Sequence, residues 1–265
     1  MTTFIALGAI GKSNSFDFKF PKMVEPNNEI RVMLVDTGIG SHHMIEPYLD
    51  KQSAHEVDNH GHGTHVAGIV LYGHKLNDPV CKEVKLLTCK FFDKKVDPKE
   101  RTGLKMINCV KRATHEKIQY LNVSGGGTDF QMDEYLAFKD FQRSGGISIV
   151  AAGNDGQPIS NQYSYFPASY RFGTYTPEIM KKPLKPLKSI IVVQNINSDG
   201  SIIQHSNTHP DATAAVGVNI TSTMPNDQYG SMTGTSQATA IVLHTILKQR
   251  CEEISKSMSN RRNSK

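Results

Sequence analysis

The feature that most constrains this chain is an alternation. Short aliphatic runs close on acids, asparagines or glycines, and segments of helical character follow them. The runs are IRVMLVD (30–36), VKLLTCKFF (84–92), IQYLNVS (118–124), ISIVAAG (147–153) and SIIVVQNI (189–196). Helical character lies at THVAGIVLY (64–72), around 100–116 and around 132–144, and TSQATAIVLHTILKQRCEEI (235–254) reads as a long final helix. Strands that are apolar on both faces need cover on both faces, and strands alternating with helices build a parallel sheet. The expected class is therefore α/β, with a mainly parallel central sheet flanked by helices. KKPLKPLK (181–188), broken by prolines, reads as a surface connection.

In an open parallel sheet, chemistry gathers in crevices beyond the carboxyl ends of strands. Here those ends carry Asp36, the turn 124–127, and Gly153 followed by Asn154. Singly, each has an ordinary explanation, since aspartate caps and turns chains and glycine serves turn geometry. Together they are polar and glycine-rich, as a cleft requires.

A chain of 265 residues can bury one sizeable core, so a single domain is expected over 30–255, between an N-terminal segment 1–29 and a basic, disordered tail 256–265. The formal charge of +5 is concentrated from 248 onward, where six basic residues face two acidic ones. The body is nearly neutral, and no nucleic-acid partner is expected. No apolar run approaches bilayer length, so no membrane partner is expected either. The N-terminus lacks the basic and apolar regions of a secretory signal, and the four cysteines show no CxxC spacing. These observations suggest a cytoplasmic protein with free thiols. Composition leaves the oligomeric state open.

The stretch HGHGTHVAGI (60–69) places three histidines within six residues. It resembles the HxHxDH segment of metallo-β-lactamase-like hydrolases, but Thr64 stands where that motif needs an acid, and the other histidines form no partner motif. No metal site is therefore expected. Solvated or core-satisfied imidazoles are the plain alternative. ALGAIGKS (6–13) fits a relaxed phosphate loop, yet has neither the strand before it nor the helix after it that such a loop needs.

Five segments in order, VMLVDTGIG (32–40), HGTHVAG (62–68), VSGGG (123–127), AAGNDG (151–156) and MTGTSQATA (232–240), resemble the subtilisin-like serine proteases over about four-fifths of the chain. The order acid, histidine, serine is the one that family uses. The resemblance implies a three-layer subtilisin-like fold and a serine endopeptidase acting on proteins or peptides through an acyl-enzyme. Asp36 matches the triad acid, His62 the general base and Ser236 the nucleophile. Asn154 matches the oxyanion donor, His65 a structural histidine, and His60 falls on the surface near the cleft. Ser124, Gly125 and Gly126 match the strand that pairs with an extended substrate. Gly153 belongs to the same binding surface, and Asp155 is placed at the rim of the pocket for the residue before the scissile bond, where it would favour a basic or polar side chain. A serine hydroxyl is a poor nucleophile at neutral pH, so an imidazole must take its proton and a carboxylate must orient that imidazole.

The chain departs from the family pattern at Ala240, where a proline is usual, and at 215–217, where Ala-Val-Gly replaces Ala-Pro-Gly. Neither change touches a reacting group. No cofactor is implied; calcium, common in secreted members, has no recognisable loop in YGHKLNDPVCKE (72–83). No inhibitory pro-domain is recognisable ahead of the first core strand. The rival reading is a catalytically silent subtilisin fold serving as a binding or regulatory module, against which the presence of all four reacting residues weighs.

Overall fold

The computed structural model describes residues 29–51, 56–92, 102–177 and 181–263. The phosphate-loop match at 6–13 lies outside them. Six parallel strands form the central sheet: β1 (Ile30–Asp36), β2 (Val84–Lys90), β3 (Tyr120–Val123), β4 (Ile147–Ala151), β5 (Ile190–Ile196) and β6 (Thr213–Val216). Their order across the sheet is β2-β1-β3-β4-β5-β6. The chain thus leaves β1 for one side and returns to the other, so the strand order reverses between β1 and β3, where an open sheet leaves a crevice at its carboxyl edge.

Among the described residues, four α-helices cover the sheet: α1 (His62–Tyr72), α2 (Thr102–His115), α3 (Met132–Arg143) and α4 (Thr235–Asn263). Strand side chains alternate between faces. Ile30, Val32 and Leu34 of β1 join α1 and α4 in one core, while Met33 and Val35 join α2 and α3 in the other. This double burial is the cause of the largely aliphatic runs. The result is a three-layer α/β architecture, as expected.

Three strands escaped the sequence reading. β6 is only four residues, TAAV, too short and small-sided to carry a strand signal. An antiparallel hairpin joins β7 (Ile220–Met224) to β8 (Gln228–Met232), its turn made by Asn226 and Asp227 at φ 62 and 56°. Short polar residues tolerate this left-handed backbone, and hairpin turns demand it. The expected disordered tail is also corrected in part, because α4 continues to Asn263. Ile254 is buried and Met258 packs against the core, so the helix keeps an anchored face within the stretch where charge dominates the sequence.

The cysteines require the clearest correction. Free thiols were expected, but Cys81 is bonded to Cys251 and Cys89 to Cys109. The first bond ties the approach to β2 to α4 across 170 residues, and the second ties β2 to α2 across 20. Pairing over such distances is set by which elements pack together, and spacing cannot reveal it. Denatured, unreduced protein is expected to show no reactive thiol on titration, and Cys81→Ser/Cys251→Ser to lose about 2–5 kcal/mol in denaturant unfolding. Four reactive thiols, or an unchanged midpoint, would contradict the pairing.

Among the described residues no helix is long and apolar enough to cross a membrane.

Candidate active site

α1 begins at His62 because the preceding residues give its first amides their partners. Asp58, 4% exposed, accepts hydrogen bonds through Oδ1 from the His60 and Gly61 amides and the Thr37 hydroxyl, at 2.8–2.9 Å. Its Oδ2 accepts from the Thr64 amide at 2.9 Å and the Thr64 hydroxyl at 2.6 Å. Amides at a helix start have no intrahelical acceptor, and a carboxylate there also favours the helix dipole. Burial pushes the Asp58 pKa up, but these bonds outweigh it and hold the group below its usual value. Gly63 follows His62 because a side chain there would strike the Gly38 carbonyl. That close approach brings the helix onto the end of β1.

Asp36 ends β1, 2% exposed, and its Oδ1 lies 2.7 Å from His62 Nδ1 while also accepting the Thr37 amide at 2.8 Å. Burial disfavours the His62 cation, but Asp36, by charge and hydrogen bond, and Asp58, by charge, reverse that effect and raise its pKa. The Asp36 contact leaves Nε2 as the nitrogen available for proton transfer.

Ser236 is the second residue of α4 and is buried, so free helix amides lie beside its hydroxyl. Its hydroxyl donates to the Ser124 carbonyl at 3.3 Å. Asn154, just past β4, accepts through Oδ1 from the Thr235 amide at 3.0 Å and the Thr235 hydroxyl at 3.1 Å. With the oxygen so engaged, the amide's NH₂ end is the one left to meet a ligand. Asn207, fully buried, fixes the same loop: its Nδ2 donates to the Ala152 carbonyl at 3.0 Å and its Oδ1 accepts the Asp155 and Gln157 amides at 3.0 and 2.9 Å.

The structure therefore brings Asp36, His62, Ser236, Asn154 and Ser124 to one edge of the sheet. Gly125, Gly126 and Gly153 flank them, with φ 102° at Gly153, where a side chain would also strike Asn207. Asp155 is exposed, and its Oδ2 accepts from the Tyr163 hydroxyl at 2.8 Å and from Asn207 at 3.1 Å. His65 is fully buried, its Nε2 2.9 Å from the Ile220 carbonyl and 3.2 Å from that of Gly230. Two carbonyl partners require a proton on that nitrogen, and burial lowers the pKa, so His65 is a neutral strut between α1 and the hairpin. His60 is half-buried, its ring 6.2 Å from that of His62 and 5.9 Å from Phe92.

Asp58, Thr235 and Asn207 were missed in the sequence. For Asp58 a signal existed, an aspartate a few residues ahead of a helix. Thr235 and Asn207 carried none, because their partners are 81 and about 50 residues away. Among the described residues, one group could hold a metal: His42 and His43 with Asp227 of the hairpin turn. Two imidazoles and one carboxylate do not suit calcium, which takes oxygen ligands.

Known proteins resemble this chain over most of its length. The chain is 28% identical over 235 residues to the minor extracellular protease Epr of Bacillus subtilis (strain 168), covering 83% of this chain and 32% of that protein. It is 28% identical over 229 residues to the major intracellular serine protease of the same organism, covering 79% of this chain and 64% of that one. The chain thus spans 32% and 64% of the length of these two relatives. A solved cold adapted subtilisin-like serine proteinase superposes with a TM-score of 0.64 at 22% identity, over 83% of this chain and 75% of that one. The sequence profile of the Subtilase family matches residues 27–253, and with most of its length so accounted for, the chain belongs to the subtilase family.

Proposed function

We propose that this protein is a serine endopeptidase in which Asp36, His62 and Ser236 form the triad and Asn154 the oxyanion donor. The observation that carries the reading is the Asp36–His62 contact of 2.7 Å on the same sheet edge as a serine at a helix N-terminus. In the mechanism, Ser236 exchanges its weak bond to Ser124 for one to His62 Nε2 and attacks the scissile carbonyl carbon. Its proton passes to Nε2, and Asp36 stabilises the imidazolium that results. The carbonyl electron pair moves onto oxygen, where Asn154 Nδ2 and the Ser236 amide donate to it. As the tetrahedral intermediate collapses, the C–N bond breaks and His62 gives its proton to the leaving amine. Water, deprotonated by His62, then hydrolyses the acyl ester and regenerates Ser236. Extended protein or peptide segments are the substrates, and no cofactor enters the chemistry.

Labelling with a fluorophosphonate tests the reading. One modified residue, Ser236, with loss of peptidase activity, is the expected result. Failure to label a folded protein would favour a silent binding module.

Asp58 supplies a pH test. His62 must be neutral to accept a proton, so activity falls as pH drops through its raised pKa. Asp58→Asn removes one of the carboxylates that raise it, and the acid limb of kcat/KM is expected to move to lower pH. The variant also sets an NH₂ group against the Thr64 amide, costing about 1–3 kcal/mol of stability. An unmoved acid limb in the folded variant would show that Asp58 does not act on His62.

The sequence suggested a cytoplasmic setting. The two disulfides support an oxidising compartment instead, since cytosolic thiols are kept reduced.

A further inference from the structure

If Ser236 and Asn154 act as proposed, the acyl carbon of a substrate is bonded to Ser236 with its oxygen toward Asn154. The side chain of the residue that supplies this carbonyl then projects between the two chain segments that leave the neighbouring strands β3 and β4. Glycines line both walls of that slot, Gly126 on one side and Gly153 on the other. Such walls would admit a broad side chain, but the slot already holds a ring. A Cβ built on Gly126 would lie 2.8 Å from Tyr165 Cε1, and one built on Gly153 would lie 3.0 Å from both Cε1 and Cζ of the same tyrosine. One ring edge therefore touches both walls and spans the gap.

The backbone under this ring is held on both sides. The Tyr165 amide donates to Ser169 Oγ at 2.9 Å, and the Ser169 amide returns a bond to the Tyr165 carbonyl at 2.8 Å. Phe166 and Gly127 exchange backbone bonds of 3.0 and 2.7 Å, fastening this segment to the wall that carries Gly126. Asp155, the residue expected to select a basic side chain, directs Oδ2 to Tyr163 and Asn207.

From this packing we infer that Tyr165 closes the acyl-side slot and restricts the enzyme to bonds that follow glycine, alanine or serine. The inference deepens the peptidase reading and rests on it. A larger residue before the scissile bond meets the ring edge before its carbonyl reaches Ser236.

The test is cleavage of a peptide library varied at the residue before the scissile bond, by wild type, Tyr165→Phe and Tyr165→Gly. Wild type and Tyr165→Phe should share a preference for glycine, alanine and serine, since the ring and not the hydroxyl fills the slot. Tyr165→Gly should raise kcat/KM for phenylalanine or leucine relative to alanine by about 10- to 100-fold, the return on burying a large apolar side chain. A wild type that prefers phenylalanine, leucine or lysine over alanine overturns the inference, and its profile decides even if a variant fails to fold. A folded Tyr165→Gly with an unchanged profile overturns it too. Fluorophosphonate labelling of the same samples separates the two levels. A labelled enzyme with the wrong profile counts against Tyr165 alone, whereas a folded wild type that neither labels nor cleaves removes the peptidase reading and this inference with it.

Discussion

Ser236→Ala is expected to fold normally and lose about 10⁶-fold in kcat, a figure borrowed from subtilisin, itself a member of this family. Folding should survive because the substitution removes one hydroxyl, whose bond to the Ser124 carbonyl is long at 3.3 Å, and alanine suits the first turn of α4. Activity should not survive, because neither His62 nor Asn154 can supply the missing nucleophile. A residual rate of about 10³–10⁴ over water would reflect binding and the oxyanion donors, again as in subtilisin. The measurement is peptide hydrolysis with the unfolding midpoint as control. A folded Ser236→Ala retaining more than a tenth of wild-type kcat would end the serine mechanism, and a chelator-sensitive residual activity would point to the histidine-rich segment 60–65 as a metal site.

Asn154 gives the second large effect, and two variants separate its two ends. Asn154→Leu removes both the donor and the acceptor of the Thr235 amide, so part of its damage would come through the start of α4. Asn154→Asp keeps an acceptor for Thr235 and removes only the donor, putting a carboxylate where the oxyanion develops. Both are expected to lose about 10²–10³ in kcat, the figure known for the donor asparagine of subtilisin, a member of this family, with KM little changed. The charge at the oxyanion should make the aspartate variant no better than the leucine one, although its stability should be closer to wild type. Near-normal kcat in either folded variant would show that Asn154 does not face the oxyanion.

The local order of this fold was legible because it is written in short-range patterns. The run 30–36 appears as β1 with the expected bounds, since burial on both faces demands an aliphatic stretch, here Val32 to Val35 between Arg31 and the terminal Asp36. The helix around 132–144 was visible for the same kind of reason, its apolar residues recurring at helical spacing toward one core. β6 and the β7–β8 hairpin were not, because four small residues and two half-exposed strands bury too little to mark a period. Asp36, His62, Ser124, Asn154 and Ser236 stood out through segments whose order resembles a known family. Their neighbours Asp58, Thr235 and Asn207 look like ordinary polar residues until their partners are in place.

What the sequence by itself determined is β1 to β5, the helices α1 to α4, the strand ends that carry polar groups, and the family, since each depends on residues adjacent or periodic along the chain. Tertiary structure alone decided the rest. Cys81 meets Cys251 only because α4 packs across the approach to β2. Asp58 is held charged in a buried site because it faces hydrogen-bond donors from two segments. Tyr165 fills a slot whose walls lie some 40 and 12 residues before it. In each case the partner is chosen by packing and by the need to pair every buried polar group, which act across space and leave no local signature.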